Sequence, residues 1–223
     1  MNEPSSVGNV IAIDGPAGSG KSTIARRVAE RVGLPMLDTG AMYRALTFAV
    51  IRSGGDPADA AVATAAAQAA DIVVDDTVTI DGVDVTAEIR EPEVSAHVSV
   101  VAAHSGVRQV LVALQRRWLG AHGGGVLEGR DIGTVVTPEA PLKIYLTASP
   151  EVRAKRRAGE GAFDLEAAAA NIAERDRIDM SRADSPLRPA GDAIIIDTSE
   201  LTIDEVVDGI VAHALERGVR GGN

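Results

Sequence analysis

Residues 11–30 read IAIDGPAGSGKSTIARRVAE, and Gly15, Gly20, Lys21 and Ser22 have the spacing G-x-x-x-x-G-K-[ST]. Each position has its own chemical reason. Gly15, Gly18 and Gly20 allow backbone conformations closed to residues with a Cβ, so that successive N–H groups can turn inward on a polyphosphate. The helix expected to begin near Lys21 adds its positive N-terminal end. Lys21 is expected to reach the β- and γ-phosphates as a point charge. The Ser22 hydroxyl is expected to ligate Mg²⁺, with nucleotide oxygens and water as the other ligands. A nucleoside triphosphate with Mg²⁺ is therefore the first expected ligand, held by Gly15, Pro16, Ala17, Gly18, Ser19, Gly20, Lys21, Ser22 and Thr23. An ordinary glycine-rich strand–helix turn is the bland alternative, and the coincidence of strand, loop, lysine and helix argues against it. Asp14, just before the loop, has two open roles: contact with the metal through water, or hydrogen bonds that hold the loop.

Further charged residues stand where a plain core would not want them. In LDTGAMYR (37–44), Asp38, Thr39, Tyr43 and Arg44 cluster around a helix start, a place suited to anions. In LEGRDIGT (127–134), Arg130 and Asp131 leave the carboxyl end of an apolar strand, which lines the ligand crevice in open parallel sheets. A helix cap or a strand-end turn would explain either segment alone. Arg153, Arg156 and Arg157 follow Pro150 on a helical stretch and are candidates for a lid over the transferring group; the alternative is a solvated basic face. In ERDRIDMSR (174–182), Arg175, Asp179 and Arg182 stand at i, i+4 and i+7 on one helical face. A surface salt-bridge ladder is the alternative there, but Arg before Asp is the weaker order for such a pair, which favours a ligand face. His97, His104, His122 and His213 show no metal-ligand spacing.

Composition narrows the classes. With 223 residues the chain can bury one substantial core and a small inserted lobe, but hardly two full domains. A formal net charge of −10, with no long Lys/Arg block, argues against nucleic acid as a partner. Cysteine is absent, so disulfide and thiolate chemistry are excluded, and a reducing compartment fits. The opening MNEPSSVGN has neither a basic region nor an apolar core, and no uncharged apolar run reaches membrane length. A monomeric cytoplasmic protein that touches no membrane is expected.

The elements that must position these residues are legible in outline. Strands are expected near Val10–Asp14, Val126–Glu128, Leu142–Thr147 and Ala193–Asp197, each apolar on both faces as buried parallel strands are. Helical patterns separate them at Lys21–Val32, Ala41–Ser53, Val107–His122, Pro150–Arg157, Asp164–Asp176 and Thr202–Arg217. This alternation predicts an α/β fold with a parallel sheet flanked by helices. The interruption at about 55–105 holds an alanine-rich helix (57–71) and short strands with a hairpin at Asp81-Gly82, and is expected to be an inserted lobe over a second substrate. The core would then span about 8–54, 106–149 and 177–217, with a short lid at about 150–176. The stretch between Arg157 and Glu174 is short and alanine-rich, and RGVRGGN at the C-terminus is expected to be a frayed tail.

Taken together, IAIDGPAGSGKST, LDTGAMYR, EIREPEVS, SGVR, EGRDIGTVV and ERDRIDMSRADSPL resemble the bacterial cytidylate kinase family over nearly the whole chain. The resemblance implies a P-loop NTPase-type fold with an inserted monophosphate-binding lobe and a lid, which transfers the γ-phosphoryl of ATP to CMP or dCMP. Lys21, Arg130, Arg153 and Arg157 are the expected catalytic residues. The resemblance places the monophosphate site on Thr39, Tyr43, Arg44, Ser99, Arg108, Arg130, Asp131, Arg175, Asp179 and Arg182. Arg44 and Arg130 would hold phosphate; Ser99, Arg108, Asp131 and Arg182 would read the base; Thr39, Arg175 and Asp179 would contact sugar or phosphate. Thr39 departs from the serine common in the family, keeping the hydroxyl and adding a methyl. The chemistry agrees: a carboxylate accepts from the cytosine amine and repels the uracil carbonyl, and Asp131 is the acid at the right strand end, with Arg108 as donor. Aromatics make up only 2% of the chain, so hydrogen bonds must read the base more than stacking does. Two rivals are another small-molecule P-loop kinase, which a substrate panel separates, and a nucleotide-dependent switch, for which a guanine-reading N-K-x-D is missing.

Overall fold

The computed structural model describes residues 6–159 and 164–221. Its centre is a sheet of parallel strands ordered β2-β6-β1-β7-β8, with β1 at Val10–Asp14, β2 at Met36–Asp38, β6 at Gly125–Gly129, β7 at Leu142–Thr147 and β8 at Ile194–Asp197. Because all strands run the same way, Asp14, Asp38, Gly129 and Thr147 end on one edge. The chain therefore gathers its loops there.

Period-two alternation sends the two faces of β1 into separate apolar layers. Val10 and Ala12 pack with Leu37, Leu46, Leu111 and Leu127 beneath α2 (Thr39–Arg52) and α5 (Ser105–His122). Ile11 and Ile13 pack with Ile24, Val28, Ile144 and Ile210 beneath α1 (Lys21–Val32) and α8 (Ile203–Glu216). Helix ends follow their caps: Asp38 accepts from Ala41 N–H at the start of α2, and Thr202 with Glu205 forms a capping box at the start of α8.

Residues 55–105 form α3 (Ala60–Ala69), an antiparallel sheet of β3 (Ile72–Val74), β4 (Val78–Ile80) and β5 (Val83–Asp84), and α4 (Pro92–Val101). Asp81 and Gly82, both at positive φ, make the expected tight turn. This lobe has no core of its own. Ala63, Ile72, Val78, Ile80 and Val98 join the same apolar layer as Leu46 and Leu111.

Three sequence expectations are corrected. A fifth parallel strand, β2, was hidden by its three-residue length. The helix expected at Asp164–Asp176 runs on as α7, Leu165–Ser181, because its last turn buries Asp179 against Arg130. The C-terminal segment is tied down as far as it is described: Val219 is fully buried, and Gly221 N–H donates to Val32 O at 2.7 Å. Part of the alanine-rich lid stretch, 160–163, lies outside the described residues. Among the described residues no single helix is long and apolar enough to cross a membrane.

Candidate active site

The loop between β1 and α1 has the shape its glycines require. A Cβ on Gly15 would lie 2.1 Å from Leu146 O, so only glycine lets the loop rest against β7. Gly18, at φ +73°, would put a Cβ 2.9 Å from Arg153 O. Helix α1 starts after Gly20 with no side-chain cap, unlike α2, α3, α7 and α8, which leaves its first N–H groups directed at the loop.

Lys21 is buried within this loop, where its Nζ donates to Pro16 O at 2.7 Å and Ser19 Oγ at 3.3 Å. Burial, then the nearby Arg130 guanidinium, draw the Lys21 ammonium well below the ordinary lysine range. Ser22 Oγ donates to Glu128 at 2.5 Å. Burial, then the Asp38 carboxylate, push the Glu128 carboxyl well above its ordinary value. Glu128 was missed in the sequence. Its signal was an acid closing an otherwise apolar strand, one position inside LEGRDIGT.

Asp14 makes its hydrogen bonds to a different loop from the one it precedes. Its two carboxylate oxygens accept from Ile132 N–H and Gly133 N–H, each at 2.8 Å, and so anchor the π-helical turn Ile132–Val136 that follows Asp131. Burial, only partly offset by those two N–H groups, raises its pKa to about 6. An acid whose pKa is raised by folding stabilises the fold when protonated. That contribution is complete below about pH 4 and is lost as pH rises through about 6. Asp14→Asn should therefore gain stability relative to wild type across this interval, by about 3 kcal/mol at most. Melting curves of both proteins from pH 4 to pH 7 check it: the lost acceptor gives a constant offset, and a difference that does not change with pH rejects the expectation.

Across the strand ends from the loop lies a second pocket, lined by Thr39, Tyr43, Arg44, Ser99, Arg108, Arg130, Asp131, Arg175, Asp179 and Arg182. The structure thus brings together all ten residues of the expected monophosphate site. At its floor Arg108 and Asp131 form a buried ion pair, 3% and 5% exposed, with the Arg108 guanidinium 5.7 Å from the centre of the Tyr43 ring. Arg108 Nε and Arg182 Nη2 are buried there without a hydrogen-bond partner, and each can donate to a bound base or sugar. Thr39 Oγ1 donates to Glu128 O at 2.7 Å. Asp179 is buried and accepts from Arg130 Nε at 2.9 Å, with Arg182 at 3.7 Å. It is no exposed ladder, and its close partner lies on the strand end rather than on its own helix.

The two pockets meet along a wall of arginines. Arg44, Arg130, Arg157 and Arg175 all face the cleft that also holds Lys21, Ser22 and Thr23. Arg44 and Arg157 donate to the same buried hydroxyl, Ser95 Oγ, at 2.9 and 3.0 Å. Burial, then repulsion from neighbouring arginines, lowers Arg44 to about 10 and Arg175 to about 9. Ser95, the last letter of EIREPEVS, was also missed, since nothing in its own segment shows that α2 and α6 (Pro150–Gly159) converge on it.

Two of the expected lid arginines are placed differently. Arg153 is buried against the outside of the loop, pairing with Asp176 and donating to Ala17 O, so it lines neither pocket and holds the loop instead of reaching across it. Arg156 donates to Thr198 Oγ1 at 2.9 Å and Thr198 O at 2.7 Å. It walls a third cavity of about 430 Å³ beside Gly20, Thr23, Leu201 and Ile203. That apolar slot, with a guanidinium along one wall, suits the flat base of a nucleotide whose phosphates enter the loop.

A family model described as "Cytidylate kinase" matches residues 11–216. The chain is 51% identical to the cytidylate kinase of Corynebacterium efficiens, over 92% of this chain and 93% of that protein. It is 49% identical to that of Mycolicibacterium paratuberculosis, over 89% of this chain and 92% of that protein. Among solved structures it resembles a sugar kinase from a Janibacter species, with a TM-score of 0.53 and 14% identity over 96% of this chain and 99% of that one, a likeness of fold alone.

Proposed function

We infer the reaction from one premise, that this chain belongs to the cytidylate kinase family: it transfers the γ-phosphoryl group of ATP to CMP or dCMP, giving ADP and CDP or dCDP. The observation that carries the site assignment is the arginine-walled cleft joining a phosphate-binding loop to a base-sized pocket floored by Asp131 and Arg108. In this assignment Gly15 to Thr23 hold the donor phosphates, and Arg156 with Leu201 and Ile203 flank the donor base. Thr39, Tyr43, Ser99, Arg108, Asp131, Asp179 and Arg182 hold the acceptor nucleoside. Lys21, Arg44, Arg130, Arg157 and Arg175 surround the phosphoryl group in flight. Transfer needs no strong protein base, because alignment and neutralisation of charge on the transferring oxygens supply most of the catalysis.

Mg²⁺ fits the donor set. Among the described residues no three carboxylates or imidazoles converge, so the ion would rest on the Ser22 hydroxyl, nucleotide oxygens and water, with Glu128 behind Ser22 as a carboxylate. When bound, it would neutralise charge between the β- and γ-phosphates. The division into core, lobe and lid follows the same assignment, with α6 and the first turns of α7 as the part that covers the loop. Cytoplasmic work by a monomer agrees with the absence of cysteine and with a charge of −10, which keeps like copies apart.

A panel of CMP, dCMP, UMP and AMP with ATP in a coupled ADP assay tests the acceptor assignment. CMP and dCMP should be turned over well above UMP and AMP; a preference for AMP would reject the roles of Asp131 and Arg108. Within the same assay, Asp179→Asn should lose at least about tenfold in kcat/KM for CMP, with ATP affinity little changed. Its burial adds a stability cost of about 1.5–3 kcal/mol, since a charged hydrogen bond to Arg130 is weakened. A variant that melts early yet phosphorylates CMP normally would leave Asp179 a purely structural group.

A further inference from the structure

Asp176 stands between Arg175 and Asp179 on α7, and those two line the acceptor pocket, yet its own carboxylate reaches the donor loop. Its Oδ1 accepts from Ala17 N–H at 3.2 Å, and its Oδ2 accepts from Arg153 Nη1 at 2.5 Å. The same Arg153 nitrogen donates to Ala17 O at 3.1 Å, while Arg153 Nε donates to Ala148 O at 3.1 Å. Both polar atoms of the Ala17 residue are thus gripped from outside the loop by one buried ion pair that bridges α6 and α7. The next residue, Gly18, presses on the same two helices: a Cβ there would lie 2.9 Å from Arg153 O and 3.2 Å from Ile172 Cδ1.

We propose that Asp176 is a positioning residue of the donor site, which with Arg153 fixes the Ala17–Gly18 turn in the conformation that receives the triphosphate. A phosphate cradle made of backbone N–H groups works only if each peptide already faces the right way, because reorienting them on binding would cost affinity. The loop's own glycines allow that conformation without enforcing it, since φ > 0 is one of several wells open to them. The buried carboxylate–guanidinium pair enforces it. Arg175 and Asp179 serve the acceptor from the same helical turn, so the division of labour runs between adjacent residues.

The proposal rests on the loop being the ATP site, and the test keeps the two apart. Asp176→Asn preserves shape and removes the charge that holds Arg153. Binding of a non-hydrolysable ATP analogue and of CMP is measured separately by calorimetry, alongside steady-state kinetics. The analogue's Kd and the KM for ATP should rise by roughly tenfold or more, with CMP binding changed less than about twofold. A merely structural role would weaken both ligands together. Equal losses, a loss confined to CMP, or no loss at all would each overturn the proposal. If the lone Arg153 charge prevents folding, the double variant Arg153→Gln/Asp176→Asn, which leaves no unpaired ion, is read by the same criteria; failure of both to fold would make the pair a stability element and overturn the proposal. A wild-type protein that binds the ATP analogue but does not phosphorylate CMP would reject the reaction assignment and leave the role of Asp176 to be read from the binding data.

Discussion

Lys21→Ala is expected to lower kcat for CMP phosphorylation by about a hundredfold to a thousandfold, the cost of one preorganised donor at developing charge, roughly 3–4 kcal/mol. The melting temperature should stay within a few degrees of wild type. The ammonium sits buried beside Arg130 and Arg175, both of which disfavour its charge, so its removal relieves repulsion. Against that stand two lost hydrogen bonds, to Pro16 O and Ser19 Oγ. A steady-state assay and a thermal melt on the same sample separate the two effects. Near-wild-type kcat would remove Lys21 from the reaction. A collapse in melting temperature would make it a brace of the loop.

The second large effect falls on Asp131, where selectivity and stability are joined and two variants divide them. Asp131→Ala leaves the Arg108 guanidinium buried and unpaired, with its Nε already lacking a partner, so a loss of about 3–5 kcal/mol in stability is expected. Asp131→Asn keeps the volume and one acceptor but offers an amide N–H that suits the uracil carbonyl. For the Asn variant the ratio of kcat/KM for CMP over UMP should therefore fall by roughly a hundredfold or more. A ratio that stays at the wild-type value would show that Asp131 supports the turn before Ile132 and does not read the base.

What could be read from the sequence, and what could not, divides by the distance between interacting residues. The P-loop and its flanking β1 and α1 were legible because strand, turn and helix signals lie within about twenty consecutive residues. The ten acceptor residues came through the family resemblance, since their convergence draws on α2, α4, α5, α7 and the end of β6. The misplaced and missed residues share one cause. Arg153 was expected to face the cleft because transfer needs charge neutralised over the moving group, and nothing local reveals that Asp176 and Ala17 meet it. Glu128 and Ser22 are 106 residues apart, and Asp176 and Ala17 are 159 apart, so only the folded arrangement makes each pair neighbours. The extension of α7 beyond Asp176 is of the same kind: its last turn has little apolar periodicity and is held by an ion pair to a distant strand end.

At Arg44 and Arg175 the substrate brings negative charge to guanidinium groups that burial and neighbouring arginines disfavour. Arg44 and Arg175 hold their charges against burial and against one another, which places part of the molecule's electrostatic self-repulsion in the cleft. A bound phosphate dianion discharges it. By mass action, a ligand at a hundred times its Kd adds about 2.7 kcal/mol to the stability of the folded state. The protein's resistance to unfolding and to proteases that attack the unfolded chain should therefore track the supply of nucleotide, so that an idle kinase is also a shorter-lived one.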